Sequence, residues 1–182
     1  MEEWKVIISR KSGGGKAGVA WDAIGEILKR RGVSFSTSFT EYKYHAIELA
    51  RKAVLEGYRK ILTVGGDGAI HEILNGVMSQ GEVPSSEVTL AAIPVGSGND
   101  WPRLHGIPRN FEAAVDVLVK GRTMVQDVAR VESVMDGKPF VRYMINIGGL
   151  GFDSYVCYLF EESKKKGRSG DIQYLRCLQH LC

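Results

Sequence analysis

The stretch of sequence that decides the fold is Val64-Gly65-Gly66-Asp67-Gly68-Ala69-Ile70-His71-Glu72-Ile73-Leu74-Asn75-Gly76. The apolar run from Lys60 to Val64 predicts a buried strand, and the residues from Ala69 to Ser79 have helical spacing. Glycines between a strand and a helix let backbone N–H groups approach an anion, and the helix N-terminus adds a favourable dipole. The stretch therefore predicts a strand, an anion-binding loop and a helix.

Two other predicted strands run into glycine-containing loops. Lys5 to Ile8 precedes the loop from Ser12 to Gly18, and Val88 to Val95 precedes Gly96-Ser97-Gly98. The carboxyl ends of parallel strands meet at one edge of a sheet, and ligands bind there in open α/β sheets. Three such loops at one edge favour phosphate binding over purely structural turns.

Strands and helices alternate over the first two thirds of the chain, which predicts an α/β fold with three layers and a mostly parallel sheet. Further elements are predicted at 20–31, 33–40, 43–56, 99–104 and 111–119. After residue 123 the pattern changes, because Thr123 to Met135 and Lys138 to Ile147 flank an Asp136-Gly137 turn typical of an antiparallel hairpin. We therefore expect an α/β nucleotide-binding domain at 1–122 and the start of a β-rich second domain, incomplete in this chain, at 123–182.

Composition excludes several classes of protein. The 182 residues are 44% hydrophobic and 25% charged, which excludes a disordered polar chain. The net charge of +3 is too small to indicate a nucleic-acid partner, and no apolar run approaches the roughly 18 residues of a membrane-spanning helix. Cys157, Cys177 and Cys182 are too few and too widely spaced for a disulfide framework or a zinc site, which favours reduced cytoplasmic thiols.

The first glycine loop supports an alternative function. Gly13, Gly15 and Gly18 match the dinucleotide-binding pattern G-x-G-x-x-G, and Glu41 follows the second predicted strand, where a ribose-binding acid could lie. A dinucleotide-dependent dehydrogenase therefore stays open, although it leaves the other two loops unexplained. A Walker A loop is excluded because Ala17 follows Lys16.

Several polar side chains near these loops are candidates for chemistry. Asp67 is flanked by glycines, and it is either an ordinary turn residue or a group that holds a metal ion or accepts a proton. Helical spacing places Glu72 and Asn75 on the face beneath the Asp67 loop. Ser97 offers a hydroxyl to a phosphate, and Asn99 or Asp100 is expected to cap the helical turn that follows.

Taken together, the motifs resemble those of the diacylglycerol kinase catalytic-domain superfamily, which includes bacterial lipid kinases, sphingosine kinases and ceramide kinases. The three family motifs fall at Gly65 to Gly76, Pro94 to Asp100 and Asn146 to Asp153. They cover nearly the whole chain in the family's order. The resemblance implies an α/β nucleotide domain followed by a β-rich domain, with the active cleft between them.

The resemblance also implies ATP and Mg²⁺ as cofactors, without assigning a metal ligand. Asp67 would be the catalytic residue at the phosphoryl-transfer centre. The residues implied to bind the nucleotide are Ser9, Arg10, Lys11, Ser12, Gly13, Thr40, Gly65, Gly66, Asp67, Gly68, Ala69, Ile70, His71, Glu72, Gly96, Ser97 and Asn99.

The sequence departs from the family pattern in three respects. Ser9-Arg10 replaces the usual Asn-Pro of the first loop, and Ala69 replaces the usual Thr of the phosphate loop. The Asp-Gly-Glu segment, whose acid is the family's proposed base, does not occur in the sequence. We therefore expect this chain to be an N-terminal portion that is inactive alone.

The function implied by the resemblance is ATP-dependent transfer of the γ-phosphate to a lipid hydroxyl, such as that of diacylglycerol, in phospholipid biosynthesis. The alternatives are an NAD kinase-like phosphotransferase, which shares the Gly-Gly-Asp-Gly loop, and a non-catalytic nucleotide-binding fragment. The cluster of Lys164, Lys165, Lys166 and Arg168 is either a solvated turn or a site for anionic headgroups. We expect a lipid substrate at the membrane surface, no nucleic-acid partner and a cytoplasmic location, peripheral at the inner membrane face, with a homodimer left open.

Overall fold

The structure, a computed structural model, describes residues 3–10, 12–149 and 151–165. Its strands are β1 (Trp4–Ile8), β2 (Phe35–Phe39), β3 (Lys60–Gly65), β4 (Thr89–Pro94), β5 (Ala129–Met135) and β6 (Lys138–Met144). Its helices are α1 (Lys16–Arg30), α2 (His45–Leu55), α3 (Asp67–Met78), α4 (Asp100–Leu104), α5 (Phe111–Lys120) and α6 (Phe152–Lys165).

The first four strands form one parallel sheet in the order β2-β1-β3-β4. In the register of this sheet, Ile8 pairs with Val64 and Gly65 pairs with Pro94. The carboxyl ends of β1, β3 and β4 are therefore level, and their glycine loops leave the sheet at the same edge. The predicted α/β fold class with a parallel sheet is confirmed.

Helices cover both faces of this sheet, which explains why its central strands are mostly apolar. On one face, Val6 and Ile8 of β1 pack with residues of α1 and α5, including Leu28 and Val115. On the other face, Ile7 packs with residues of α2 and α3, which include Ala50, Ile73 and Val77. Burial of alternate β1 side chains on opposite faces thus produces three layers.

The second sheet is the hairpin of β5 and β6, in which Met135 pairs with Lys138 around the turn. Asp136 and Gly137 have positive φ angles of 53° and 72°, as a tight two-residue hairpin turn requires. The side chain of Asn75 on α3 holds this hairpin by bonding both backbone groups of Tyr143. Its Nδ2 donates to the Tyr143 carbonyl, and the Tyr143 N–H donates to its Oδ1, each at 2.9 Å.

Several element boundaries differ from those expected. Helix α3 begins at Asp67, two residues earlier than predicted, because the extended Gly66 (φ −103°, ψ −167°) serves as its N-cap. Helix α1 likewise begins at Lys16, so Gly18 lies within a helix. Strand β5 begins at Ala129 rather than Thr123, because its partner strand β6 ends at Met144, the residue that pairs with Ala129.

By compactness the chain divides into a unit of Met1–Asn146 and a unit of Ile147–Cys182. In the second unit the Ser154 hydroxyl donates to the Gly149 carbonyl at 2.9 Å, near the start of α6. Of the basic cluster Lys164, Lys165, Lys166 and Arg168, the last two residues lie outside the described residues. No helix within the described ranges is both long enough and apolar enough to cross a bilayer.

Candidate functional site

The three glycine loops are in direct contact at the carboxyl edge of the parallel sheet. A Cβ on Gly96 would lie 2.6 Å from the Cα of Gly66, so these two loops touch through their backbones. A Cβ on Gly65 would lie 3.1 Å from the Ser12 hydroxyl, which brings the first loop to the same place. The loops predicted to act together therefore form one surface.

The first loop owes its shape to consecutive left-handed glycines. Gly13, Gly14 and Gly15 have φ angles of 61°, 69° and 94°, a conformation that other residues adopt only at a cost. Gly13 also lies so close to the Val95 carbonyl that a Cβ would approach it to 2.3 Å. The loop therefore packs against the residue that follows β4.

Helices α1 and α3, which follow the glycine loops after β1 and β3, begin without a capping side chain. The N-cap positions of α1 and α3 are Gly15 and Gly66, which have no side chain to accept a hydrogen bond. In α5, by contrast, the Asn110 side chain accepts from the Ala113 N–H at 3.0 Å. No side chain caps the first turn of α1 or α3, and in α3 the Ala69 N–H donates to the Gly66 carbonyl at 3.0 Å. The other N–H groups of these first turns are candidate donors for an anion.

Asp67, the first residue of α3, faces the loop after β4. Its Oδ1 accepts a hydrogen bond of 2.9 Å from the backbone N–H of Trp101, and so it caps α4. Its Oδ2 lies 3.1 Å from the position of a Cβ on Gly98, and Asp100 Oδ2 lies 3.4 Å from the same position. Asn99 occupies the N-cap position of α4, as expected, but its side chain makes no capping hydrogen bond.

The buried Asn99 fixes the loop after β4. Its Oδ1 accepts from the Gly96 N–H at 2.9 Å, and its Nδ2 donates to the Gly96 carbonyl at 2.6 Å. Arg109 holds the same loop from outside by donating to the Ser97 and Gly98 carbonyls at 2.8 and 3.2 Å. Ser97 is left exposed on a loop whose backbone is fixed.

Glu72 connects α3 to the start of α2 rather than to the Asp67 loop. Burial raises the pKa of its carboxyl, while the nearby backbone N–H groups of Tyr44 and Ala46, together with Lys43, act to lower it. Tyr44 has a positive φ of 69°, which is strained for a bulky residue. Glu72 thus helps to hold the segment that follows Thr40.

His71 faces the hairpin. Burial lowers the pKa of its imidazole, and the charge of Arg142 on β6 lowers it further. The neighbouring Asn75 is committed to Tyr143, as described above. These side chains therefore connect α3 to the hairpin, and the sequence prediction that placed Asn75 beneath the Asp67 loop did not identify its partner.

The remaining predicted site residues have diverse surroundings. Ser9 lies beside Gly65, and its Cβ is 3.4 Å from the position of a Cβ there. The Arg10 guanidinium lies 4.4 Å from the centre of the Phe39 ring, and Thr40 donates its N–H to the Ile8 carbonyl at 2.9 Å. The side chains of Ala69 and Ile70 are buried, so only their backbone groups could serve a ligand. Lys11 lies outside the described residues.

Two residues that organise the site were missed from the sequence. Arg109 lies in a polar connection beyond the loop after β4. Trp101 lies within the helical turn predicted at 99–104. Their positions follow from tertiary contacts, for which the sequence pattern offered no specific signal. Within the described ranges, no three His, Cys, Asp or Glu side chains are grouped so that they could hold a metal ion.

The parallel sheet, its two helical layers and its loop-lined carboxyl edge define a doubly wound α/β protein. A family model of the diacylglycerol kinase catalytic domain matches residues 3–131. The chain belongs to this family.

Individual relatives agree with the family match. The chain is 34% identical over 147 residues to a diacylglycerol kinase of Bacillus subtilis strain 168, a match that covers 81% of this chain and 45% of the relative. It is 30% identical over 147 residues to a diacylglycerol kinase of Staphylococcus aureus strain Newman, covering 81% and 42%. A crystal structure of a diacylglycerol kinase from Bacillus anthracis strain Sterne has a TM-score of 0.61 and 26% identity, covering 76% of this chain and 48% of that one. The chain thus spans about half the length of the curated relatives it matches.

Proposed function

We propose that this chain is the nucleotide-binding part of an ATP-dependent lipid kinase that transfers the γ-phosphate to a lipid hydroxyl such as that of diacylglycerol. The observation that carries the proposal is that the glycine loops after β1, β3 and β4 touch one another at one edge of the sheet, beside Asp67. Side chains occupy the N-termini of three helices other than α1 and α3, namely Glu72 at α2, Asp67 at α4 and Asn110 at α5.

The backbone supports a triphosphate rather than an apolar ligand at this edge. A Cβ on Gly14, Gly15 or Gly68 would meet no atom within 4 Å, so these glycines border open space. Gly68 lies in the first turn of α3 and has neither a positive φ nor a crowded neighbour to explain its missing side chain. A phosphate on the N–H groups of α3 explains it, since a side chain there would compete for the same space.

Magnesium is proposed to bind at the carboxylate oxygens beside Gly98. The Oδ2 atoms of Asp67 and Asp100 both lie near the position of a Cβ on this residue, and carboxylate oxygens are suitable ligands for Mg²⁺, which commonly uses one or two of them together with phosphates. When bound there, the ion would neutralise charge on the phosphate oxygens.

Asp67 is proposed to act at the phosphoryl-transfer centre. Its Oδ1 is held by the Trp101 N–H, which fixes the orientation of the carboxylate and leaves Oδ2 on the side of Gly98. In this position it can hold the metal or accept the proton of the lipid hydroxyl. An acid from outside this chain is the other candidate for the proton acceptor.

The complete reaction is proposed to need more of the protein than this chain, whose match to its relatives covers about half of their length. We assign residues 1–122 to the nucleotide domain and 123–182 to the start of a second domain. We also propose that the lipid is reached at the membrane surface from the cytoplasmic side, where the basic residues from Lys164 onward could contact anionic headgroups.

A radiolabelled-ATP assay of the complete protein tests this function. Diacylglycerol, phosphatidylglycerol and sphingosine in mixed micelles, and NAD in solution, would serve as phosphate acceptors. We expect label to enter a lipid, with diacylglycerol preferred, and not NAD. Labelling of NAD would favour the NAD kinase alternative. Thermal stabilisation by ATP without transfer to any acceptor would instead favour a non-catalytic nucleotide-binding protein.

A further inference from the structure

Gln126 lies in the connection between α5 and β5 and joins three separate parts of the fold. Its Nε2 donates to the Ile145 carbonyl, just beyond β6, at 2.6 Å. Its Oε1 accepts from the Trp101 indole Nε1–H at 2.9 Å and lies 3.0 Å from His105 Nε2. Because the amide nitrogen is committed to Ile145, the oxygen must be the atom that faces Trp101 and His105.

This orientation also determines the role of His105. Since Gln126 Oε1 can only accept, the His105 Nε2 must carry a proton and donate. The imidazole lies against the Trp101 ring, with 4.4 Å between ring centroids. The amide oxygen therefore accepts hydrogen bonds from both Trp101 and His105, and it holds these two side chains together.

Helix α4 needs such support because it has only five residues, too few for a stable helix by itself. Trp101 is held at two points. Its backbone N–H donates to Asp67, and its indole N–H donates to Gln126. A displacement of the indole thus moves the donor that orients the Asp67 carboxylate.

The other side of Gln126 is fixed as well. Ile145 follows β6, whose Tyr143 is bonded on both backbone groups to Asn75 of α3. Asp67 is the first residue of that same helix. Hydrogen bonds and chain connections therefore link Asp67 to Trp101, to Gln126 and to the end of β6. From there Asn75 completes the connection to α3.

We propose that Gln126 is a positioning residue for phosphoryl transfer, which ties α4, and through Trp101 the Asp67 carboxylate, to the end of β6. The proposal rests on the proposed function in that Asp67 is the group being positioned. Gln126 touches neither the glycine loops nor Asp67, so it acts through Trp101, and its hold on Trp101 depends on its own bond to Ile145.

Two substitutions in the complete protein separate the hydrogen-bond donor of Gln126 from its acceptor. Gln126→Met keeps the length of the side chain and removes all three hydrogen bonds. Gln126→Glu keeps an acceptor for Trp101 and His105 but removes the donor to Ile145. The matched control is Gln80→Met, because Gln80 is a buried amide whose hydrogen bonds go only to the last turn of α3 and to the loop that follows it.

The first readout is the pair of Trp101 N–H resonances in protein labelled with ¹⁵N-tryptophan, identified with a Trp101→Phe variant. We expect Gln126→Met to shift both the indole and the backbone resonance. Gln126→Glu should preserve the indole hydrogen bond, and Gln80→Met should leave both resonances in place. A backbone resonance that does not move in Gln126→Met overturns the proposal whatever the activity.

The second readout is lipid kinase kinetics. We expect Gln126→Met to lower kcat about tenfold or more while KM for ATP changes less than about twofold, because the nucleotide contacts remain and the reacting carboxylate is misplaced. A kcat within about twofold of wild type, with shifted resonances, would overturn the proposal. If Gln126→Met does not fold, Gln126→Glu decides by the same kcat criterion. If wild-type protein phosphorylates no lipid, the proposed function fails, whereas the resonances still decide whether Gln126 controls the donor to Asp67.

Discussion

The Asp67 carboxylate at the start of α3 accepts the backbone N–H of Trp101 at the start of α4, with 2.9 Å between Oδ1 and N. Asp67 therefore has a structural bond in addition to its proposed chemical role. The two roles can be separated, because a neutral amide can accept the same hydrogen bond but cannot supply a negative charge.

Asp67→Asn should abolish transfer while it preserves the fold. We expect kcat to fall by about 100-fold or more, as for loss of a catalytic acid or base. ATP-dependent thermal stabilisation should persist. Asp67→Ala is the control, since it also leaves the Trp101 N–H without its partner and should cost about 1–3 kcal/mol in the free energy of unfolding. Near-normal turnover by Asp67→Asn would exclude a catalytic role.

Two glycines at the loop edge should respond to alanine in opposite ways. Gly68→Ala meets open space, so the free energy of unfolding should stay the same or rise by up to about 1 kcal/mol through helix propensity. Its stabilisation by ATP should nevertheless weaken, because the methyl group enters the proposed phosphate site.

Gly96→Ala is the matched comparison. Its Cβ would lie 2.6 Å from the Gly66 Cα, and such crowding should cost about 1–3 kcal/mol in urea unfolding. Unchanged ATP stabilisation of Gly68→Ala, measured by thermal shift, would argue against a phosphate at the N-terminus of α3.

Glu72 should give an unusual pH dependence of stability. Burial raises the pKa of its carboxyl above the ordinary value of 4.5. Between the ordinary and the raised pKa the folded state holds more protons than the unfolded state, so this contribution to stability is lost as pH rises through the window. The Glu72→Gln variant carries an amide at this position, which does not titrate.

The measurement is the difference in unfolding free energy between wild type and Glu72→Gln from about pH 4 to about pH 7. We expect the difference to become less favourable to wild type as pH rises. His71, whose lowered pKa gives a loss of stability as pH falls below 6.5, is present in both proteins and cancels. A difference that moves in favour of wild type over this range would contradict the prediction.

Thr63 on β3 offers a direct test of core energetics. Its side chain is 1% exposed, and no atom in the described part of the chain makes a hydrogen bond with its hydroxyl. Thr63→Val replaces the unpaired hydroxyl with a methyl group and should stabilise the protein by about 1 kcal/mol. Thr63→Ala removes the hydroxyl but leaves a void, so it should not stabilise. Urea unfolding of both variants distinguishes relief of a polar penalty from simple loss of volume.

The sequence predicted the parallel sheet and the convergence of the glycine loops at its carboxyl edge, because apolar runs ending in glycine have few other structural explanations. It did not predict the partners of Glu72 and Asn75. Helical spacing determines which face a side chain occupies, whereas its partner depends on segments distant in sequence, here Tyr44 and Tyr143. The start of β5 was wrong for a related reason: Met124 and Val125 look like strand residues, but they are 70% and 94% exposed and have no partner strand among the described residues.

The bond between Asn75 and Tyr143 has a consequence for the behaviour of the protein at high concentration. An outer strand with unpaired backbone groups is a template onto which another molecule can add its own strand. At Tyr143 the amide side chain from α3 already occupies both groups in the manner of a neighbouring strand. The Asn75 side chain of α3 therefore blocks intermolecular sheet extension at this position of β6.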